Sequence, residues 1–334
     1  MIAVEQSILS GMNSLRGKLY RCFIICVMLT VNVSCLKEKL TVISEDYYQY
    51  KEDSDDVFIF YTDAHFNNIP GGTYRKYMNR LYDYYNILDV DFCINCGDWL
   101  NDNDTYDEAC VKLDFISNDV YDLYGLNHLL VLGNHDTNYQ GRKDNGSEAN
   151  TGRISNDVIR SLFFKNFENN YYLFRSNSAA FYVLDTGLDW EYNMSEYRWE
   201  QIHWLAQNLQ YNTDKHIIIV LHIFYNNMSE FQQLALNSMN VAESYNCRES
   251  IIINDKKYDF TNISGKVACF LCGHSHADYV DNSYSIPIVC TRNFQADGMP
   301  TFDICQIDWD INKMRLFRVG SGESRIVELS KNPS

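Results

Sequence analysis

Positive charge is scarce in this chain: 28 Lys and Arg stand against 44 Asp and Glu, for a formal net charge of -16. No basic cluster interrupts that deficit. A nucleic-acid duplex therefore meets no extended counter-charge, because affinity for a phosphate backbone grows with the Lys and Arg that face it. A local anion site is still open to the chain where metal ions dominate the field. Long apolar runs are also missing, and the stretch 23–33 is shorter than the roughly 20 residues of a membrane-spanning helix. Internal repeats, low-complexity tracts and a disulfide framework are absent too. Hydrophobic residues nevertheless make up 46% of 334 positions, enough for a sizeable core and too many for global disorder.

The amino terminus has the order of a targeting segment. Arg16, Lys18 and Arg21 precede the apolar stretch 23–33, and small Ser34 and Cys35 follow. This is the basic, apolar, small-residue sequence of a secretory leader. Export to a periplasm, cell surface or medium is the expectation. Cys35 is a candidate for lipid attachment, hence for membrane tethering through the N-terminus, although Asn32 suits that role poorly. A start at Met12 would give the leader an ordinary length. The expected organisation is a leader or anchor over 1–35, a linker over 36–56 that ends in an acidic run, and one domain over 57–334.

Of 11 cysteines, Cys22, Cys26 and Cys35 fall in the leader. Cys93 with Cys96, and Cys269 with Cys272, form C-x-x-C pairs on apolar strands. Positions i and i+3 of a strand face opposite sides, which disfavours a zinc or redox site and leaves buried free thiols as the expectation.

Further on, strand and helix patterns alternate. Apolar runs at 57–61, 91–95, 129–132, 180–184, 217–221 and 267–271 read as strands. Helical spacing appears after Thr73, which is placed to cap a helix, and across 111–116, 155–163 and 195–209. The tail alternates in strand fashion at 286–289, 302–309 and 314–319. Residues 224–262 show little periodicity and, with the polar loop 138–152, are expected to rim a site and select its substrate. In α/β sheets ligands bind at the carboxyl ends of strands.

Those ends carry an unusual set of side chains: Asp63 and His65; Asp98; Asn134, His135 and Asp136; His222; His274 and His276. Five of the chain's eight histidines are among them. His128, His203 and His216 are elsewhere and are expected to be structural or at the surface. A single His after a strand is ordinarily structural, but agreement at five ends is hard to obtain that way. Residues i and i+2 leaving a strand share a face, so Asp63 with His65, and His274 with His276, can each converge. Mixed nitrogen and oxygen donors suit Mn, Fe, Zn or Ni, not Ca.

The motifs Asp63-x-His65, Gly97-Asp98-x-x-Asn101, Gly133-Asn134-His135-Asp136, His222 and Gly273-His274-x-His276 resemble, in order, the signature of the calcineurin-like metallophosphoesterase superfamily. The resemblance implies a four-layer αββα sandwich with two mixed β-sheets and a dinuclear metal site at the strand ends. It implies that Asp63, His65 and His276 hold one ion, that Asn134, His222 and His274 hold the other, and that Asp98 bridges them. It implies a catalytic His135, oriented by Asp136. The implied reaction is hydrolysis of a phosphate mono- or diester by a metal-bridging hydroxide, on a phosphate-ester substrate. Purple acid phosphatases carry a Tyr ligand three residues after the bridging Asp; Asn101 stands there, so an Fe(III)-tyrosinate enzyme is not expected. The layout is similar to small bacterial phosphodiesterases of the superfamily. The alternatives are a cyclic-nucleotide phosphodiesterase or nuclease of that superfamily, and a catalytically silent metal-bound binding module. No oligomeric state follows from the pattern. If the leader is processed, the mass of the mature chain from its native host should lack the residues before about Cys35, the boundary expected of a signal segment; a full-length mature mass would remove the export reading.

Overall fold

The computed structural model describes residues 47, 48, 50, 56–120, 127–138, 152–165, 167–186, 194–225 and 229–330. The chain divides into two units, Met1–Lys51 and Glu52–Ser334. The expected leader, Cys35 and the interior of the 138–152 loop lie outside the described residues. Of the first unit only Tyr47, Tyr48 and Tyr50 are described, all helical. Among the described residues no helix is long and apolar enough to cross a membrane.

In the second unit the chain runs β1 (Asp56–Tyr61), α1 (Gly72–Ile87), β2 (Phe92–Asn95), α2 (Tyr106–Asn118), β3 (His128–Leu130), a 3-10 turn (His135–Thr137) and α3 (Asn156–Leu162). It continues through β4 (Tyr172–Arg175), β5 (Ala180–Val183), α4 (Met194–Gln210), β6 (His216–Val220), α5 (Ser229–Asn246), β7 (Ser250–Ile253) and β8 (Lys256–Asp259). Last come β9 (Lys266–Cys272), β10 (Tyr279–Asp281), β11 (Ile288–Cys290), β12 (Phe302–Asp308), β13 (Lys313–Val319) and β14 (Arg325–Glu328).

Two six-stranded sheets result, ordered β14-β13-β12-β1-β2-β3 and β10-β11-β9-β6-β5-β4. In the first, β1, β2 and β3 run parallel and β12 to β14 complete the sheet antiparallel. In the second, β5, β6, β9 and β11 run parallel, with antiparallel β4 and β10 at the edges. The side-chain period of two assigns the faces. On β5, Phe181 turns inward, with its ring 5.9 Å from Phe58 of β1 and 5.1 Å from Phe92 of β2. Its neighbours Ala180 and Tyr182 turn outward into a cluster with Ile217 and Ile219 of β6, Leu205 and Leu209 of α4, and Leu234 and Ala242 of α5. On the far side, Tyr84 of α1 meets Phe302 of β12. This is the expected αββα layering. The first sheet is parallel through β1, β2 and β3 and the second through β5, β6, β9 and β11, so several strands deliver their carboxyl ends to one edge.

Segment 224–262 differs from its expected role as a rim. It contains α5 and the antiparallel β7–β8 hairpin. Leu234, Ala235, Val241, Ala242 and Tyr245 recur at helical spacing and are buried against the second sheet. Interleaved Gln, Asn and Ser diluted that stripe in the sequence. Thr73 does not cap α1 either; Gly71 occupies that position, and no side chain caps the helix. The described cysteines are free thiols, as expected, and burial raises the pKa of Cys93 and Cys96.

His128, at the start of β3, is buried with Nε2 2.9 Å from the Tyr61 hydroxyl. Burial pushes its pKa down to about 3. An unfolded His takes up a proton near pH 6.5, whereas the folded one stays neutral. Its contribution is therefore present above about pH 6.5 and is lost as the pH falls toward the folded value. In denaturant titrations, wild type should lose about 2 kcal/mol more than His128→Gln between pH 7 and pH 5. Equal pH slopes in the two proteins would remove this role.

Candidate metal centre

Each motif residue sits just past a strand, where the chain must turn sharply. Five of them take a left-handed backbone: Asp63 (φ 52°), His65 (φ 43°), Asp98 (φ 58°), His274 (φ 68°) and His276 (φ 53°). Asp and His tolerate this region better than most residues, and such conformations concentrate at functional sites. The loops also approach closely. A Cβ on Gly133 would lie 2.1 Å from Asp98 Oδ1, and one on Gly273 would lie 1.9 Å from Thr62 Oγ1. Only glycine permits either approach.

The side chains then converge. Asp98 is buried, and its Oδ2 lies 3.1 Å from His222 Nε2, 3.7 Å from His65 Nε2 and 3.9 Å from His135 Nε2. Asp63 Oδ1 lies 3.1 Å from His276 Nε2 and 3.7 Å from His65 Nε2. Asn134 Oδ1 stands 3.1 Å from His222 Nε2, and the Nε2 atoms of His65 and His276 are 3.1 Å apart. Donor atoms of Asp63, His65 and His276 lie within 4.8 Å of one another, and so do those of Asp98, His222 and His274. A third such group is His65, Asp98 and His135. Asp98 thus stands between the two sets assigned from the sequence.

Several details fit a pair of cations. Asp63 Oδ1 is buried and makes no hydrogen bond, although its Oδ2 accepts from Thr62 Oγ1 and the His274 N–H. His222 Nδ1 donates to the Cys96 carbonyl at 2.5 Å and His65 Nδ1 to the Leu100 carbonyl at 3.0 Å. Both contacts fix the tautomer that leaves the Nε2 lone pair facing inward, an arrangement common behind metal-bound imidazoles. Separations near 3 Å match the edges of a coordination shell whose ligand bonds are about 2.0–2.2 Å. With only protein charges present, burial pushes Asp63 up, but the His276 and His65 imidazoles beside it outweigh that and hold the carboxyl well below its usual range. Burial likewise opposes the charge on His222, yet the Asp98 carboxylate raises it to about 10. His274 is pushed down to about 4 by burial and by the neighbouring His222. The donor set therefore fits two ions. His135 and His276, 32% and 47% exposed at their side chains, mark the side open to a substrate.

Asp136 does not touch the His135 ring, so its expected orienting role is corrected. Its Oδ2 accepts the N–H groups of Asp98 and Gly133, and its Oδ1 those of Trp99 and Leu100. Burial and the nearby Asp98 carboxylate push its pKa up to about 7, against the pull of the Leu100 and Gly133 N–H groups. The carboxylate beside His135 is instead Asp102, whose Oδ2 is 3.7 Å from Nδ1. Sequence reasoning passed over Asp102, one position beyond the motif that ends at Asn101, and Thr62, one position before the motif that starts at Asp63. It also passed over Thr186, whose hydroxyl accepts the N–H groups of His222 and Ile223. Adjacency to motif residues was the available signal for the first two; Thr186 had none.

The calcineurin-like phosphoesterase family model matches residues 57–278. The chain belongs to that family. It is accordingly a hydrolase acting on phosphate esters, from a family that depends on two metals. Among solved structures, a dimetal phosphatase from Danio rerio is 14% identical with a TM-score of 0.53, covering 83% of this chain and 99% of its own. At that identity the likeness shows a shared fold. GAP50, described as the anchor in the inner membrane complex of Plasmodium, is 15% identical with a TM-score of 0.47, covering 83% of this chain and 89% of its own. No curated protein matches.

Asp136→Ala would strand four buried N–H groups, each worth about 1–3 kcal/mol when unpaired. Chemical denaturation should therefore show a loss above about 3 kcal/mol, larger than for His135→Ala. Wild-type stability in Asp136→Ala, with activity alone reduced, would restore the orienting role.

Proposed function

We propose that this phosphoesterase cleaves a phosphate mono- or diester at a centre held by Asp63, His65 and His276 on one side and Asn134, His222 and His274 on the other, with Asp98 shared. The observation that carries the proposal is the convergence of Asp63, His65 and His276, and of Asp98, His222 and His274, into two sets of donors, with one buried Asp63 oxygen left without a hydrogen bond. Mn, Fe, Zn or Ni ions suit the donors; when bound, such a pair activates water and withdraws charge from the phosphoryl oxygens.

The remaining work falls to the chain's own residues. His135 is part-exposed at the open side, where its Nε2–H can donate to a phosphoryl or leaving oxygen. Asp102 sits at the opposite ring nitrogen and favours a proton on Nδ1 as the leaving oxygen draws one from Nε2. Burial lowers the His135 pKa and Asp98 opposes the shift. A buried Asp136 holds the loops that present Asp98 and Asn134. The overall acidity, -16, supports a small ester as substrate over a long polynucleotide. Export, with the leader order as its support, remains part of the proposal.

Protein stripped of metal and reloaded with single ions should hydrolyse p-nitrophenyl phosphate or its bis-ester. Asp98→Ala should lose both bound metal and turnover. His135→Ala should keep nearly all its metal and lose roughly 10²–10⁴-fold in rate on esters with poor leaving groups, with a smaller loss on nitrophenyl esters. If metal content and activity fell together in His135→Ala, the ligand set would have to be redrawn.

A further inference from the structure

A second feature lies at the strand end of the second sheet that also carries His222. Between α3 and α4 is a cleft of about 770 Å³, within the usual range of small-molecule sites. Its position follows from topology. Asn169 and Asn170 lie just before β4, and α4 follows β5, so the cleft opens at the carboxyl end of β5. The next strand, β6, carries His222 at the same end. Two strand spacings, roughly 10 Å, separate β4 from β6. Beneath the cleft, the buried Asp185 accepts hydrogen bonds from Tyr197 (2.8 Å) and Asn170 (3.3 Å). Its neighbour Thr186 holds the backbone of His222.

The lining is rich in acceptors. Asn156 and Asn170 are 8% and 3% exposed, and the Oδ1 atom of each is buried without a hydrogen bond. Because Asn170 Nδ2 is engaged by Asp185, its free amide atom is an acceptor. From α4, Glu196, Trp199, Glu200 and His203 line the cleft, at i, i+3, i+4 and i+7 on one helical face. Both glutamates are exposed and make no hydrogen bond or ion pair among the described residues. Like charges at i and i+4 repel, so a donor placed between them relieves the helix. The guanidinium of Arg160 is paired with Asp157 at 2.8 Å, which leaves the cleft net negative. Such a surface repels the phosphoryl group and welcomes hydroxyl or ammonium donors. Trp199 supplies an apolar wall, with Arg198 over its ring at 5.1 Å.

We propose that this cleft between α3 and α4 binds a donor-rich, non-anionic part of the substrate, a polyol or amino-alcohol ester group, while the phosphorus sits at the metal centre. The inference rests on the phosphoester reading of that centre and adds the chemistry of the group attached to phosphorus. It makes Glu196 and Glu200 specificity determinants at exposed positions, where substitution is tolerated by the fold.

The test compares sorbitol phosphate and phosphoethanolamine with p-nitrophenyl phosphate, and glycerophosphoethanolamine with bis-p-nitrophenyl phosphate, using the metal-loaded full chain. In Glu196→Leu/Glu200→Leu the ratio of kcat/KM for donor-rich over nitrophenyl esters should fall at least about tenfold, the effect of losing roughly one good hydrogen bond to a charged group, and through KM more than kcat. Glu196→Gln/Glu200→Gln keeps acceptors and removes charge; a loss confined to the ethanolamine esters assigns an ammonium, and retention there assigns hydroxyls. A ratio within twofold of wild type in the Leu variant overturns the proposal. So does a wild type that cleaves nitrophenyl esters and none of the donor-rich ones. Failure of the metal-loaded wild type on every ester would instead overturn the reading of the metal centre, and this inference with it.

Discussion

One buried carboxylate ties the site together. Asp136 takes four backbone N–H groups from two loops, those after β2 and β3. The loop after β2 carries Asp98; the loop after β3 carries Asn134 and His135. Neither can shift without stranding donors in a place that water does not reach. Asp98 returns the link, since its Oδ1 accepts the His135 N–H at 2.8 Å. The oxygen left over, Oδ2, is the one that faces His222 and His65. One oxygen of the shared ligand is thus committed to scaffold and the other to the centre. Asp63 repeats the division, with Oδ2 held by Thr62 and the His274 N–H and Oδ1 left facing His276.

Strain and charge are concentrated in the same small volume. Five proposed ligands adopt left-handed backbone, and two carboxylates are buried beside several imidazoles. Without ions, the Asp98 and Asp63 carboxylates hold His222 and His65 toward the protonated form against burial, while burial presses His274 and His135 toward the neutral form. The surrounding sheets supply the rigidity that holds this arrangement. Phe58, Phe92 and Phe181 pack between them, and α4 and α5 close the outer face of the second sheet. Segment 224–262 belongs to that support, which moves the candidate selectivity surface from α5 to the cleft between α3 and α4.

How much of this was legible in the sequence depended on whether a property is local. Strand ends are marked by an apolar run followed by Gly, Asp, Asn or His. Those signals were enough to nominate Asp63, His65, Asp98, Asn134, His135, His222, His274 and His276 together, and the ordered motifs carried the family. The α5 stripe was local as well, but the polar residues within it hid the period.

Other features were decided only by tertiary structure. Asp136 follows His135 in the chain, yet its carboxylate turns to the loop after β2, because four unpaired N–H groups outweigh one contact with a neighbouring ring. Asp102 reaches the His135 ring from 33 positions away in sequence, across two strands that only the sheet brings side by side. Thr186 and the cleft floor at Asp185 depend on β5 lying next to β6. The sequence by itself determined which side chains stand at the ends of strands, since that follows from a run and its terminus. Pairing order decided which of those ends meet and which oxygen of each carboxylate is left free, because strand neighbours are chosen by burial of whole faces and not by residues at the edge.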